Sequence, residues 1–367
     1  MSTNSNLLGG NKLKNRVMLS DTNLLLIINI VVFLVMYVCA IVFLKSGFTK
    51  PQTFLNILNE NASLLILSCG MTLVMLTGGI DISVGQVTCL VCMACAVFLN
   101  REGGTPYDLE ISMLIAIGIG LAFGIIQGYL VAYLEFQPFI VTLIGMTLAK
   151  GLTTMISHDR VAVTQPRFEA LCKLEINIPC GFTRTETGEI VPLYLGSANK
   201  LGEWVNAHVE IGVIIALAVL ILLFVMLRWT KLGRSFYAVG GNNQSANMLG
   251  INVKLTKFLS HVLCGLCAGI GGYVFFLHSR SGSTLHAQGA EMNAIASAII
   301  GGTMLSGGVG NIVGALFGVL SLSTIKSIVA SLGLQDAWWT NITVAGMLCI
   351  FLILQSVILS RRNQSKK

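Results

Sequence analysis

From Leu24 to Leu44 the chain carries no charged side chain. A stretch of this length crosses a bilayer as a helix, because a hydrocarbon core ~30 Å thick needs about 20 apolar residues at ~1.5 Å of rise each. Further apolar segments follow at Ala62 to Thr77, Ser83 to Leu99, Ile111 to Leu134, Phe139 to Ile156, Ile211 to Leu227, Phe258 to Phe276, Met292 to Leu305, Gly308 to Val329 and Trp339 to Leu359. Only 11% of the 367 residues are charged. A soluble domain carries about 25%, so these charges cannot cover a water-soluble globule. The expected fold is an all-α membrane protein of about ten transmembrane helices. One polytopic domain over 24–359 is expected, flanked by tails at 1–23 and 360–367. The first span is too long for a signal-peptide core, so it is expected to stay in the membrane. Met292 to Leu305 is short, and spanning and re-entrant placements both fit it.

Basic residues set the orientation, because they concentrate on the cytoplasmic side. Lys12, Lys14 and Arg16 lie in the first tail, and Arg361, Arg362, Lys366 and Lys367 in the last. The loop 228–257 holds Arg228, Lys231, Arg234, Lys254 and Lys257, with no Asp or Glu. Both tails and this loop read as cytoplasmic, and an even number of crossings agrees. The polar loop 157–210 has more acidic than basic residues and is placed outside. Net charge is +7, but its position beside apolar spans points to a membrane rather than to nucleic acid.

Most of the ten cysteines fall in apolar segments. Cys89, Cys92 and Cys95, and the pair Cys264 and Cys267, have no His or carboxylate interleaved, so they read as packing rather than metal ligands. Cys172 and Cys180 share the polar loop, where an external location permits a disulfide.

Two segments echo each other. Gly78 to Gly85 (GGIDISVG) and Gly301 to Gly308 (GGTMLSGG) share GGxxxSxG, and each interrupts an apolar stretch. Paired Gly-broken segments in two halves point to a transport site; the pattern alone fits inverted and parallel halves equally. Asp81 lies inside the first copy. An ionisable group at membrane depth usually has a partner or lines a wet cavity, and the flanking glycines let the backbone open toward a polar solute. Asp81 therefore reads either as a pathway residue or as a helix cap near Ser83. Further pathway candidates are Ser83, Gln127, Asn293 and Ser306. Gln127 fits helix-to-helix hydrogen bonding as well as a sugar hydroxyl. Glu291 and Asn293 stand where they could cap the following helix. Lys150 reads as snorkelling to the interface, and Trp338 with Trp339 as an aromatic belt. No GxxxxGK[ST] phosphate loop, catalytic nucleophile–base pair, metal cluster or cofactor motif is present in the sequence. A non-enzymatic, cofactor-free transporter is expected.

Four blocks carry a resemblance: GGIDISVG at Gly78 to Gly85, QPFIVTLIGMTLAKGL at Gln137 to Leu152, GRSFYAVGGNNQSANMLGIN at Gly233 to Asn252, and AIASAIIGGTMLSGGVGNIVGALFGVL at Ala294 to Leu320. They resemble the ribose/xylose/galactose-type permeases of bacterial ABC sugar importers, in family order along nearly the whole chain. Trp338-Trp339-Thr340 resembles the galactofuranose members. The resemblance implies import of a pentose or hexose, with two ATP-binding subunits inside, a second permease copy or paralogue, and a periplasmic or lipid-anchored sugar-binding protein outside. It places the chain in the bacterial inner membrane. The family usually has Asn at Gln127, Arg at Lys150 and Asp at Asn293, which bears on the sugar rather than on the architecture. The third block resembles the loop that docks into the ATPase. Gly240 and Gly241 are expected to turn with positive φ. Asn243 to Leu249 should then form a short helix capped by Asn242 or Asn243 and stopped by Gly250. Ala246 and Leu249, three apart, are expected to share a face that enters an ATPase groove.

Three rival readings remain at this level, one of them a non-transport membrane scaffold or assembly protein, against which the Gly-broken segments in both halves argue. A cation-coupled transporter would use Asp81 as its proton site, but further midplane carboxylates are lacking. A branched-chain amino-acid permease would need matched charges for its substrate, and few charges are buried.

Overall fold

The computed structural model describes residues 21–44, 48–101, 105, 107–184, 190–198, 204–334 and 336–364. The expected basic clusters at 12–16 and 366–367 lie outside the described residues.

Helices dominate. In chain order they are α1 (Asp21–Leu44), α2 (Pro51–Leu76), α3 (Val84–Leu99), α4 (Asp108–Ala132), α5 (Pro138–Ile156), α6 (Pro166–Cys172), α7 (Ile211–Trp229), α8 (Lys231–Gly241), α9 (Asn243–Met248), α10 (Val253–Ser279), α11 (Ala290–Ile300), α12 (Ile312–Ser331) and α13 (Ala337–Gln364). Among the described residues seven are long and apolar enough to cross a membrane: α1, α2, α4, α5, α7, α10 and α12. Three shorter apolar helices, Val84–Leu99, Ala290–Ile300 and Trp338–Ile353, bring the total to the ten apolar segments of the sequence. The protein is an all-α membrane bundle.

The polar loop carries small antiparallel pairs. These are β1 (Val161–Ala162) with β8 (Ser281–Gly282), β2 (Glu175–Asn177) with β7 (His208–Glu210), β3 (Pro179–Arg184) with β4 (Ile190–Tyr194), and β5 (Gly196–Ala198) with β6 (Trp204–Asn206). They gather at one end of the bundle, where Asn100 Nδ2, just beyond α3, donates to the Ala162 carbonyl at 2.6 Å. Helices α8 and α9 lie at the other end.

Helix α2 is the buried axis: 83% of its apolar window is covered, against 22% for α1 and α4. Helix α10 packs on α2, α3 and α4. Its contact with α4 is backbone to backbone. A Cβ on Gly120 would overlap the Gly265 carbonyl, and one on Gly124 would stand 2.7 Å from the His261 oxygen. Small residues at such spacing let membrane helices approach closely, where apolar burial alone supplies no drive. The cysteines serve the same packing. Cys92 Sγ donates to the Gly272 carbonyl at 3.4 Å, and Cys95 Sγ to that of Ser112 at 3.3 Å. Cys172 is a buried free thiol and Cys180 an exposed one, so the permitted disulfide is not formed.

The segment 281–308 runs along the bundle from β8 toward α8, with the 11-residue α11 as its helix. It pairs with β1 at the hairpin end, and at the α8 end the Gly308 N–H donates to the Leu76 carbonyl at 3.0 Å. Both GGxxxSxG copies sit at the α8 end, each preceded by an apolar helix leading to it and followed by one leading away. The two copies run in the same sense.

Candidate functional site

At the first break, α2 ends at Leu76 and Gly78 takes φ +81. The chain then turns through Asp81, only 2% exposed, before α3. Asp81 Oδ1 accepts from the Ser83 N–H at 2.9 Å and from Ser83 Oγ at 2.6 Å. Gln127 of α4 donates through Nε2 to Ser83 Oγ at 3.0 Å. Gly145 of α5 leaves room for that amide, since a Cβ there would overlap Gln127 Nε2. Thr142 Oγ1 reaches the Ile80 carbonyl at 3.4 Å. The sequence candidates Asp81, Ser83 and Gln127 thus form one closed, buried cluster that ties the break to two neighbouring helices. From α10, His261 and Cys264 lie within the field of Asp81. His261 Nδ1 contacts the Lys257 carbonyl at 3.0 Å, while its Nε2 has no hydrogen-bond partner. Sequence reading missed His261 because a lone His in an apolar helix carries no motif.

The second break is built of glycine. Gly302, Gly307 and Gly308 have φ of +89, +84 and +75. Met304 N–H donates to the Val309 carbonyl at 2.9 Å and closes the loop. Ser306 is exposed there, and its carbonyl lies beside Gly78, 3.7 Å from where a Cβ on that residue would stand. Asn293 is half-buried inside the first turn of α11 and does not join the Asp81 cluster. Neither Asn293 nor Glu291 caps α11. The N-cap is Gly289 at φ +74, without a side-chain cap bond. The helix starts earlier than the apolar run, so both residues fall inside it. Glu291 is instead buried against Gly85, whose Cβ would overlap Oε2, and that oxygen has no partner. The two motif copies therefore touch at Gly78–Gly307, and Gly85 of the first copy also meets Glu291 of α11.

The α8–α9 segment is capped at each step. Thr230 Oγ1 accepts from Gly233 N at 3.2 Å, Asn242 Oδ1 from Ser245 N at 2.9 Å, and Asn252 Oδ1 from Leu255 N at 2.9 Å. Gly250 takes φ +79 after the short helix. Two expectations are corrected. Gly240 and Gly241 are helical and close α8 rather than turning with positive φ. Glycine at 240 answers to close approach instead: a Cβ there would overlap both the Leu76 carbonyl and the Gly308 nitrogen. Ala246 and Leu249 also do not share an exposed face. Ala246 is 2% exposed while Leu249 is 79% and Met248 88%. The short helix turns Ala246 inward, toward α8 and α10, leaving Met248 and Leu249 as the apolar pair that projects. Beside them opens a groove of about 770 Å³ between the α4–α5 turn and α9, lined by Phe136, Asn243, Asn247 and Lys254. At its edge Lys254 Nζ meets Glu135 Oε1 at 3.0 Å, and this hydrogen bond holds the Glu135 carboxyl below its usual range.

An all-α bundle with two glycine-broken crossings at one end, joined by a capped pair of short helices, defines a membrane permease. The profile of the family described as "Branched-chain amino acid transport system / permease component" matches residues 53–352. The chain belongs to that family. It is 34% identical to the inner membrane ABC transporter permease protein YjfF of Escherichia coli, over 91% of this chain and 92% of that one. It is 33% identical to the fructose import permease protein FruG of Bifidobacterium longum, covering 82% of each. It is also 33% identical to the ribose import permease protein RbsC of Escherichia coli, over 80% of this chain and 82% of that one. No solved structure matches the chain.

Proposed function

We propose that this chain is the translocating subunit of an ATP-driven importer of a monosaccharide, a pentose or hexose delivered by an external binding protein. ATP-binding subunits dock at the α8–α9 end, which faces the cytoplasm, and a second permease copy or paralogue completes the pathway. Both chain termini are cytoplasmic, in a bacterial inner membrane. Import is the direction in the names of the fructose and ribose relatives. The observation that carries the reading is the seat of Gly240 between the two broken crossings. Through that contact a force on α8–α9 reaches both breaks at once, and the Asp81–Ser83–Gln127 cluster begins a few residues beyond. The half-buried Asn293 and the exposed Ser306 are neutral hydrogen-bonding groups, which suit an uncharged sugar better than a zwitterionic amino acid.

Proteoliposomes test this. The chain alone should accumulate none of a panel of labelled pentoses and hexoses on any ion gradient. With its ATP-binding subunits and binding protein, uptake should follow ATP. Gradient-driven uptake by the chain alone, or ATP-driven uptake of branched-chain amino acids in place of sugars, would overturn the reading.

A further inference from the structure

A second cavity, of about 290 Å³, opens at the α8 end where four helices converge. Arg228 from the last turn of α7 and Arg234 of α8 line it, with Tyr237, with Asn311 from the start of α12, and with Asn23 of α1. Phe224 and Leu227 give it an apolar wall. No carboxylate lines it, and among the described residues neither guanidinium has an ion-pair partner. Two unpaired guanidinium groups in one recess favour an anion, and their planar forks match phosphate oxygens. Asn311 Oδ1 accepts from Val313 N at 3.0 Å, so its amide group is free to turn toward the recess. The positive end of the 20-residue α12 faces the same space.

The surroundings choose among anions. The outer face of α7 is apolar and exposed at Ile221, Leu222 and Val225, and leads up to the cavity. Trp229, 63% exposed, stands at the end of that face with its ring 6.1 Å from Phe224, edge to face. An aromatic at that height marks the headgroup level. An occupant able to use both the guanidinium pair and the apolar face has a phosphate at one end and acyl chains at the other. We infer that this recess is a binding site for an anionic phospholipid, with its phosphate on Arg228 and Arg234 and its chains along α7. Basic pockets between membrane helices on the cytoplasmic side bind such headgroups.

The test uses the full-length chain in mild detergent and in nanodiscs, with phosphatidylglycerol and phosphatidylcholine as probes and native mass spectrometry as readout. The wild type should retain phosphatidylglycerol. Arg228→Gln with Arg234→Gln should weaken that retention roughly thirtyfold, as expected for two basic residues at an anionic surface, and leave phosphatidylcholine unchanged. Should the double variant fail to fold, Arg228→Gln alone, at an exposed position, should weaken retention several-fold. Equal retention by wild type and a folded variant would overturn the site. Displacement of the lipid by millimolar inorganic phosphate would show a free-anion site and overturn the lipid assignment. Loss of the lipid when ATP-binding subunits bind, with loss of those subunits in the variant, would make the recess a protein dock and equally overturn it.

Discussion

Gly240 and Leu76 meet backbone to backbone: any Cβ on Gly240 would overlap the Leu76 carbonyl oxygen, which already accepts the Gly308 N–H at 3.0 Å. One atom of α2 thus joins α8 to the second break. Tyr237 adds a further tie, its hydroxyl donating to the Gly310 carbonyl at 2.9 Å. Gly241, the next residue, has open space around its Cβ position. Gly240→Ala should therefore push α8 off both breaks at a cost of about 1–3 kcal/mol, since backbone atoms cannot swing aside. The variant should still bind its ATP-binding subunits but transport at least tenfold less sugar per ATP. Gly241→Ala should behave as wild type. Uptake and ATP hydrolysis measured in the same proteoliposomes decide this, and equal coupling in the two variants would remove Gly240 from the coupling path.

Gln127 and Gly145 form a second matched pair. The amide of Gln127 occupies the space a Cβ on Gly145 would need while it donates to Ser83 Oγ at 3.0 Å. Gly145→Ala should displace the amide and leave buried polar groups unpaired, destabilising by about 1–3 kcal/mol. Gln127→Asn shortens the side chain by one methylene and loses Ser83 while clearing the clash. The double variant should be less destabilised than the sum of the two single changes, because the second substitution removes what the first collides with. Thermal unfolding of the four proteins in detergent measures the coupling; strict additivity would show that the two residues do not interact.

Much of this architecture was legible because a bilayer sets a length criterion that any helix must meet. Each of the ten apolar segments became a helix, mostly within a few residues of its expected ends. The large exception is α2, which begins at Pro51 rather than near Ala62. Asn56, Asn59, Glu60 and Asn61 interrupt the apolar pattern there, but Asn59 finds partners across the chain at the Glu210 N–H, 3.1 Å, and the His208 carbonyl, 3.4 Å. Tertiary bonds of that kind leave no local trace. The paired breaks were legible as a repeated motif, and Gly250 as a helix stop. Gly240 was misread because glycine serves both positive φ and close approach, and only the neighbour in space distinguishes them. The inward turn of Ala246 was hidden for a related reason: spacing says which residues share a helix face, not which way that face points.

Met248 and Leu249 are the apolar side chains that α9 projects, beside the groove of about 770 Å³. Leu249→Asp should leave the permease folded and at normal abundance in the membrane, because the side chain touches little of its own chain. It should lose co-purification with the ATP-binding subunits, since a charge set against an apolar pocket is left desolvated. Ala246→Asp should do the reverse and lower abundance, because its position is buried. Full retention of the ATP-binding subunits by Leu249→Asp would place the dock elsewhere.

The ends of the bundle differ in charge. Arg228, Lys231, Arg234, Lys254 and Lys257 all fall at the α8 end, in α7, α8 and α10. Basic residues beside spans are retained on the cytoplasmic side. At the hairpin end the basic residues Arg101, Arg160, Arg167, Lys173, Arg184 and Arg280 stand among acidic ones: Arg101 pairs with Asp108, Lys173 with Glu169, and Glu210 Oε2 engages His278 Nδ1 at 2.9 Å. The α8 end should therefore face the cytoplasm. His158 and Asn243 are exposed at opposite ends and serve as reporters. In a background with the exposed Cys39, Cys180 and Cys349 replaced by serine, His158→Cys should react with a membrane-impermeant maleimide applied to spheroplasts. Asn243→Cys should react only in inside-out vesicles. Ser157→Cys, next to the first reporter, guards against local shielding and should behave like His158→Cys. The reverse pattern would turn the bundle over, put the α8–α9 dock outside, and with it remove any route by which cytoplasmic ATP could drive the two breaks.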